Sequence, residues 1–415
     1  MKLAIINNHY QLGGAETVAR QVHEGMRARG HLSDFLVADG KNYPRGKGVK
    51  PFYPRLLSRI SQSRFKYRIP KRYRRYAWTD RELARLAASD YDVLHFHSFH
   101  GIYGSLQTFS NLSYQKPLVW TFHRFWGVTG GCDHPGSCRR YLEECGRCPR
   151  VDEWPLNGKD DTRLQLQRKV DLLGTAPVTV ISPSRHLAEL VSGSRVGRNW
   201  RVEVIPNGID TEQFRFERKT DAGFRAELGL SGTKPVALVV NRDFKDGVKG
   251  FDIIASGLEG GSGDLNVQLA FAGGNSDFAA GFAVERGWDA VSLGYVSDRA
   301  RMRDLYEASD VFLYASPGEN FPCAILEAMS SACCIVSTPT DGVLEQVEEG
   351  VSGLLSKDFT GESLFRVLGE SLERRDMLRD IGIRARDRAS AEFSEGVMVE
   401  RHEKLFSEIL SQRSD

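Results

Sequence analysis

The sequence has no apolar run that approaches the roughly 18 residues a membrane-spanning helix requires. Its first segment, Met-Lys-Leu-Ala-Ile-Ile-Asn, is too short for the hydrophobic region of a signal peptide and is typical of a buried strand. There is no internal repeat and no low-complexity segment. The length of 415 residues, 41% of them hydrophobic and 27% charged, suits two α/β domains. These features favour a cytoplasmic protein.

Acidic residues are scarce in the N-terminal half of the chain. Residues 1–215 hold 34 Lys and Arg against 20 Asp and Glu, whereas the remainder holds 22 basic and 34 acidic residues. The basic-aromatic stretch, residues 41–78, has 13 basic and no acidic residues between Lys41 and Arg75, interleaved with Tyr, Phe and Trp. It fits a solvated basic face, contact with anionic lipid headgroups, or nucleic-acid binding. No nucleic-acid-binding module accompanies it, so we expect an anionic membrane surface as partner and no nucleic acid.

Two carboxylates flank a turn in the segment Ser316–Met329. The apolar run Val311–Tyr314 predicts a buried strand, and Pro322 suits the first turn of the helix that follows. Glu319 then lies in the loop, and Glu327 lies about a turn and a half into the helix. Because ligands of open α/β sheets bind at the carboxyl ends of strands, this spacing indicates a ligand site. By itself, it fits two solvated glutamates equally well.

Free backbone N–H groups accompany these carboxylates. The amides of Asn320, Phe321 and the first helical residues can receive an anion or a hydroxyl-rich ligand. Near the N-terminus, Gly13 and Gly14 lie between a predicted strand and a predicted helix, where the backbone can approach a phosphate closely.

Cations are predicted at the mouth of another strand–helix turn. Arg242 follows the apolar run Pro235–Val240, and Lys249 precedes a helix, so the pair can clamp a diphosphate. Lys245 is a weaker third candidate. The pair also fits two ordinary surface cations.

Several histidines follow predicted strands. His95 and His97 share one face of the strand Tyr91–His97, and His100 lies beyond it, which favours an acceptor role for His97 or His100 over a metal site. His123 ends the strand that begins at Leu118.

Four cysteines lie within 17 residues, spaced C-x5-C-x6-C-x2-C. In a cytoplasmic chain such a cluster predicts metal ligands rather than disulfides. Four thiolates fit a tetrahedral structural zinc. An iron–sulfur cluster and the absence of any metal remain alternatives. The four-cysteine group is Cys132, Cys138, Cys145 and Cys148.

The segment with Glu319 and Glu327 resembles the Glu-x7-Glu signature of family-four retaining glycosyltransferases, and its Glu-Asn-Phe-Pro opening is similar to exopolysaccharide and colanic-acid-type members. The resemblance implies that Glu319 contacts donor-sugar hydroxyls and that Glu327 holds the nucleotide ribose. It also implies donor-facing roles for Gly13, Gly14, Arg242, Lys249, Asn320 and Phe321, and a catalytic role for His123. Many members have Asp after this histidine, where this chain has Arg124.

The fold class implied is α/β of the GT-B type, with two Rossmann-like domains that face each other across a cleft. The expected domains are an N-terminal acceptor domain (1–215) with the basic-aromatic stretch and a Cys-rich insert (130–150), a nucleotide-sugar domain (216–391), and a C-terminal helix (392–415) that packs on the N-terminal domain.

The expected function is metal-independent, retaining transfer of a sugar from a UDP- or GDP-sugar to a lipid-linked or other oligosaccharide acceptor, for bacterial surface polysaccharide, at the inner face of the cytoplasmic membrane. A nucleotide-sugar 2-epimerase of the same fold and a non-catalytic sugar-nucleotide-binding protein are the alternatives.

Overall fold

The computed structural model describes residues 1–11, 13–38, 43–44, 46–52, 80–99, 105–245, 250–261 and 263–414. The chain divides into two compact units, one formed by Met1–Pro206 with Met398–Asp415 and the other by Asn207–Val397.

The first unit is built on a parallel sheet of seven strands in the order β3-β2-β1-β4-β5-β6-β7. The strands are β1 (Lys2–Asn7), β2 (Leu32–Val37), β3 (Val49–Pro51), β4 (Val93–Phe96), β5 (Leu118–Thr121), β6 (Val178–Ser182) and β7 (Arg201–Val204). The helices before the second unit are α1 (Gly14–Ala28), α2 (Leu106–Gln115), α3 (Thr162–Leu173) and α4 (Arg185–Gly193), and residues 80–87 are also helical.

The local sequence explains these elements. Residues 3–7 of β1 are all buried, as expected for a strand covered on both faces of a parallel sheet. Helix α1 buries Val18, Val22 and Met26, which recur every four residues and so form one apolar stripe. Helix α2 begins after Ser105, whose hydroxyl accepts a hydrogen bond from the Thr108 N–H and caps the helix.

The second unit is built on a parallel sheet of six strands in the order β10-β9-β8-β11-β12-β13. The strands are β8 (Val236–Asp243), β9 (Gln268–Gly274), β10 (Ala290–Ser292), β11 (Val311–Tyr314), β12 (Cys334–Ser337) and β13 (Leu354–Leu355). The helices are α5 (Ala222–Glu227), α6 (Phe251–Gly260), α7 (Ser276–Val284), α8 (Arg299–Glu307), α9 (Cys323–Ser330), α10 (Asp341–Gln346), α11 (Gly361–Leu372) and α12 (Arg375–Glu392).

Two apolar clusters form the core of the second unit, and successive strand residues alternate between them. Leu238 and Phe312 belong to one cluster, and Val239 and Leu313 belong to the other. This alternation follows from the two-residue period of a strand. Both faces of the sheet are therefore covered, and ligand groups are left to the ends of the strands.

Each sheet has one point at which the strand order reverses. In the first unit it lies between β1 and β4, and in the second between β8 and β11. Loops that leave neighbouring strands in opposite directions open a crevice at such a point, which is where ligands of open α/β sheets bind.

The last helix, α13 (Glu395–Ser414), contacts the first unit over most of its length. Glu403 accepts hydrogen bonds from Arg29 (2.9 Å) and lies 2.6 Å from His31. Glu408 accepts from Arg201 at 2.7 Å. Within the described part of the chain, no helix combines the length and the hydrophobicity needed to cross a membrane.

Candidate active site

Glu319 lies in the loop after β11, at the strand-order reversal of the second sheet, and Glu327 is the fifth residue of α9. Pro322 occupies the N-cap position with φ −67° and ψ 122°, so the helix begins one residue later than the sequence predicted. Each carboxylate is partly exposed. The two carboxylates are therefore held on consecutive parts of one strand–loop–helix unit, where a ligand can reach both.

Two glycines allow other elements to approach this loop. Gly250 has φ +72°, and a Cβ atom there would lie 2.3 Å from the Ala315 carbonyl oxygen. A Cβ atom on Gly342 would lie 2.2 Å from the Asn320 carbonyl oxygen. The backbone N–H of Gly342 donates to the Glu319 carbonyl oxygen at 3.2 Å. The starts of α6 and α10 thus contact the main chain of the Glu319 loop directly, which only glycine permits.

Glu327 is held by a tyrosine from α8. The Tyr306 hydroxyl donates to Glu327 Oε2 at 3.0 Å, and Tyr306 is fully buried. Burial raises the pKa of Glu327, while the Tyr306 hydrogen bond and the nearby Arg299 oppose that rise. The structure therefore supplies two groups that favour the ionised carboxylate at this half-buried position.

Glu319 also has a tyrosine beside it. Burial, followed by the nearby Glu319 charge, raises the pKa of the Tyr314 hydroxyl well above its usual range. Cys323 lies between the carboxylates. Burial first, then Glu327 and Glu319, raise its pKa to about 12, so Cys323 stays a neutral thiol.

Asn320 and Phe321 have buried side chains. Phe321 is 4% exposed, and its ring packs edge-on against Phe393 at a centroid distance of 5.5 Å. The Phe321 carbonyl oxygen accepts a hydrogen bond from Asn207 Nδ2 at 2.9 Å. The sequence-based prediction assigns the backbone N–H groups of both residues to a ligand.

Arg242 is the penultimate residue of β8, the strand that pairs with β11 in parallel. Its exposed side chain lies at the same edge of the sheet as Glu319. Lys245 follows, and its ammonium lies over the Phe278 ring at 5.3 Å from the centroid. Lys249 lies outside the described residues, as do His100 and most of the basic-aromatic stretch.

In the first unit, Gly13 is the N-cap of α1 and Gly14 its first residue, both exposed. The N–H groups of the first turn of α1 therefore lie at the carboxyl end of β1, beside the strand-order reversal. Asn8 Nδ2 donates to Ser98 Oγ at 3.0 Å and ties the loop after β1 to the loop after β4.

His123 belongs to a cluster of four histidines in the first unit. Nδ1 of His97 lies 3.1 Å from Nε2 of His123, and the His97 ring is 4.2 Å from the His95 ring. His402 of α13 lies 5.5 Å from His95. Burial is the main cause of the lowered pKa of each histidine, and it brings that of His123 to about 3 and that of His402 to about 4. All four rings are therefore neutral at neutral pH.

Arg124, the departure from the family pattern, pairs with a buried carboxylate. Its NH1 donates to Asp133 Oδ2 at 2.7 Å, and Asp133 is 3% exposed. The guanidinium also lies 5.6 Å from the Trp154 ring centroid. The position thus connects the His123 loop to the Cys-rich insert.

The four-cysteine group lines a single pocket of about 20 Å³. The Thr129 hydroxyl donates to the Cys132 carbonyl oxygen at 2.6 Å. Burial raises the pKa of the Cys132 and Cys145 thiols, to about 11 for Cys132. Among the residues that the structure describes, no group of three or more His, Cys, Asp or Glu side chains is arranged to hold a metal ion. The four predicted zinc ligands thus line one pocket, but their side chains are not arranged to coordinate a metal ion.

Sequence reasoning missed Tyr306, Arg299 and Gly342. In the sequence, Tyr306 is one of several residues on the apolar face of α8, so the local pattern does not distinguish it. Its role is visible only in the structure, where Glu327 lies next to its hydroxyl. The sequence did contain a signal for the start of α8, because Asp298 is a typical N-cap residue and accepts a hydrogen bond from the Ala300 N–H at 3.0 Å. Arg299 is the first residue of that helix.

Comparisons with known proteins identify the family. Residues 12–213 match the model described as Glycosyltransferase Family 4, and residues 222–388 match that of Glycosyl transferases group 1. The chain is 26% identical over 383 residues to WcaC of Escherichia coli (strain K12), whose name describes a colanic acid biosynthesis glycosyl transferase. The aligned region covers 86% of this chain and 88% of WcaC.

Solved structures match the whole chain. Anabaena HepE, crystallised with UDP and glucose, has a TM-score of 0.68 at 18% identity and covers 98% of this chain and 100% of its own. Sucrose-phosphate synthase from Thermosynechococcus elongatus has a TM-score of 0.71 at 18% identity and covers 99% of both chains. These likenesses and the two parallel sheets confirm the predicted GT-B fold class. Because the Glycosyltransferase Family 4 model and the Glycosyl transferases group 1 model together match most of the chain, the chain belongs to these glycosyltransferases.

Proposed function

We propose that this glycosyltransferase moves a sugar, with retained anomeric configuration, from a UDP- or GDP-sugar to a saccharide acceptor in the synthesis of a bacterial surface polysaccharide. The observation that carries the proposal is the placement of Glu319 and Glu327 on the loop and helix after β11, at the strand-order reversal, with Arg242 on the neighbouring β8. The naming of WcaC for colanic acid biosynthesis and the UDP and glucose bound to HepE support the substrate classes.

In this proposal each group acts on the part of the donor that suits its chemistry. Glu319 accepts hydrogen bonds from donor-sugar hydroxyls, and Glu327 accepts them from the ribose. Arg242 and Lys249 pair with the diphosphate. Backbone N–H groups of Gly13, Gly14, Asn320 and Phe321 donate to the donor, and His123 contacts the sugar at the reacting centre.

The proposed step breaks the bond between the anomeric carbon and the diphosphate oxygen while the acceptor hydroxyl oxygen bonds to the same carbon, and the hydroxyl proton passes to the departing diphosphate. Negative charge then builds on the leaving diphosphate, where preorganised donors contribute most. Fixed cations and amides perform this neutralisation, so we propose that no divalent metal is required. Glu319 stabilises positive charge on the sugar ring, and no side chain is assigned as a covalent nucleophile.

The acceptor is proposed to be lipid-linked, with the enzyme bound peripherally to the inner face of the cytoplasmic membrane. The support is compositional: 13 basic residues with interleaved aromatic residues in the basic-aromatic stretch match an anionic, amphipathic surface.

We also propose that the four-cysteine group binds one structural zinc. All four residues line one small pocket, and four thiolates suit a tetrahedral ion. Binding would require the four sulfurs to move into a tetrahedral arrangement around the ion.

The deciding experiment is a thermal-shift screen of UDP- and GDP-sugars, followed by incubation of the best donor with and without saccharide acceptors. Binding to the native state raises the melting temperature. Nucleoside diphosphate release that needs an acceptor supports transfer. Conversion of the donor without an acceptor would indicate a 2-epimerase, and binding without turnover would indicate a non-catalytic protein.

A further inference from the structure

The two glutamates of the candidate site each have a tyrosine partner, and the partners come from different elements. Tyr306 lies on α8 and donates to Glu327 Oε2 at 3.0 Å. Tyr314 is the last residue of β11, and the Glu319 charge near its hydroxyl contributes to the raised Tyr314 pKa. Each carboxylate therefore has its own tyrosine neighbour, and a hydrogen bond of defined length joins Tyr306 to Glu327.

Tyr306 is held rigidly. Its ring is fully buried and packs edge-on against Phe312 at a centroid distance of 5.6 Å. The next residue, Glu307, is 2% exposed and accepts from Arg218 NH2 at 2.7 Å and from the Arg218 backbone N–H at 3.0 Å. The Cys333 thiol donates to the Tyr306 carbonyl oxygen at 3.1 Å. A hydroxyl on so fixed a support determines where its acceptor oxygen points.

The hydrogen bond leaves one carboxylate oxygen for a ligand. Tyr306 engages Oε2 of Glu327, and within the described part of the chain Glu327 makes no second hydrogen bond. None of the described residues uses Oε1, and a carboxylate oxygen can accept from two adjacent hydroxyls. Neighbouring hydroxyls of this kind occur together on a ribose ring and are absent from a 2′,3′-dideoxyribose.

We propose that Tyr306 is a positioning residue that fixes Glu327 to read the vicinal diol of a ribonucleotide donor. This inference rests on the proposed function, because it assumes that a nucleoside diphosphate sugar occupies the site. Under this proposal, Tyr306 contributes to ribose selectivity without contacting the ligand. Loss of the Tyr306 hydroxyl and loss of the Tyr314 hydroxyl should therefore have different kinetic effects.

The two tyrosines have different expected signatures. Tyr306→Phe keeps the ring and removes the hydroxyl, so the KM for the donor should rise with little change in kcat, because ribose binding is the same in the ground state and the transition state. Tyr314→Phe should lower kcat instead, because Glu319 acts on charge that develops at the sugar.

The decisive readout is the affinity ratio between UDP or GDP and its 2′,3′-dideoxy counterpart, measured by calorimetry on the full chain. Wild type should prefer the ribonucleotide by on the order of 10- to 100-fold, the effect of a hydrogen bond to a charged group. In Tyr306→Phe the ratio should fall by roughly 5-fold or more, and Tyr314→Phe should leave it near the wild-type value.

Two further variants guard the interpretation. Tyr91→Phe removes the same kind of hydrogen bond, 2.6 Å to Asp34, from the first unit, and should alter neither the ratio nor kcat. Glu327→Gln should itself lower the ratio, and adding Tyr306→Phe to it should lower the ratio no further, because the two residues act as one unit.

The outcomes are distinct. A wild-type protein that binds no nucleoside diphosphate overturns the proposed function, and this inference with it. Wild-type binding with a normal ratio in folded Tyr306→Phe, or equal and additive losses in the double variant, overturns the positioning role alone.

Discussion

The imidazoles of His97 and His123 are paired, with Nδ1 of the first 3.1 Å from Nε2 of the second. Since one nitrogen of such a pair must donate and the other accept, the tautomer of one ring sets that of the other. His123 is thus a neutral ring whose orientation depends on His97, which is 3% exposed.

Acid should destabilise the first unit through this cluster. The pKa of each of His95, His97, His123 and His402 is lowered in the folded state, so the unfolded chain binds more protons below its pKa near 6.5. Stability should be complete above pH 6.5 and fall as the pH drops toward 4 and 3. At pH 5.5 each histidine kept neutral costs about 1.4 kcal/mol.

Melting temperature measured from pH 7.5 to 5 tests this expectation. His402→Leu removes one titrating ring beside Phe406 and should flatten the dependence, whereas His186→Gln, outside the cluster, should not. An identical slope in His402→Leu and wild type would contradict the linkage.

Glu319→Gln should abolish most turnover without loss of folding. The amide keeps the shape of the side chain and removes its charge, so the rate should fall by about 100-fold or more, the scale of one well-placed electrostatic group. The matched control is Glu362→Gln, which removes an exposed carboxylate paired with Arg366 at 2.8 Å. A near wild-type rate for Glu319→Gln would rule out its assigned role.

Lys249→Ala and Arg242→Ala should weaken binding of a nucleoside diphosphate far more than binding of the nucleoside, because each cation is assigned to the phosphates. Lys245→Ala is the comparison variant, since that ammonium lies over the Phe278 ring. Calorimetric titration with both ligands measures the difference. Equal weakening of the two ligands by either principal variant would mean that its cation does not face the phosphates.

Purified protein should contain about one zinc per chain if the four-cysteine group binds metal, and strong chelators should remove it with local unfolding. Cys148→Ala should lose the zinc, whereas Cys333→Ala, a buried cysteine of the second unit, should retain it. Elemental analysis after reducing, zinc-replete purification decides the matter, and metal-free wild-type protein would end the proposal.

Liposome binding should require anionic lipid and should weaken, without vanishing, as salt rises. Each basic residue near such a surface contributes about 1 kcal/mol, and the aromatic contribution is not screened. Charge reversal at Lys71, Arg72, Arg74 and Arg75 should reduce binding and spare transfer to a short soluble acceptor. The same reversal at Arg366, Arg374, Arg375 and Arg379 changes net charge equally and should have little effect. Wild-type indifference to anionic liposomes at low salt would contradict a membrane role.

The repeating elements were predictable because their signal is local. The run Leu3–Ile6 is contained in β1, and the expected strand from Leu118 to His123 is observed as Leu118–Thr121, with His123 two residues beyond its end. Alternating and apolar runs indicate that a strand exists, but they determine the positions of its first and last residues only to within a few residues.

The partners of the site residues were not predictable, since they depend on how distant segments pack. Arg124 could be read as a departure from a pattern, whereas its pairing with Asp133 arises only from the path of the insert. Likewise, the spacing of Glu319 and Glu327 was visible in the sequence, but Tyr306 reaches Glu327 from a helix 21 positions earlier.

Direct contact of Gly250 and Gly342 with the main chain of the Glu319 loop has a consequence for mutational screens of this enzyme. Alanine at either position would push the Ala315 or Asn320 carbonyl aside and carry the Glu319 loop with it. A screen scored on activity would then rank both glycines beside the glutamates, although neither has a side chain to offer a substrate. Inactive variants at 250 and 342 would therefore show how far the Glu319 loop can move before activity is lost. More positions would inactivate the enzyme than there are residues that contact the substrate.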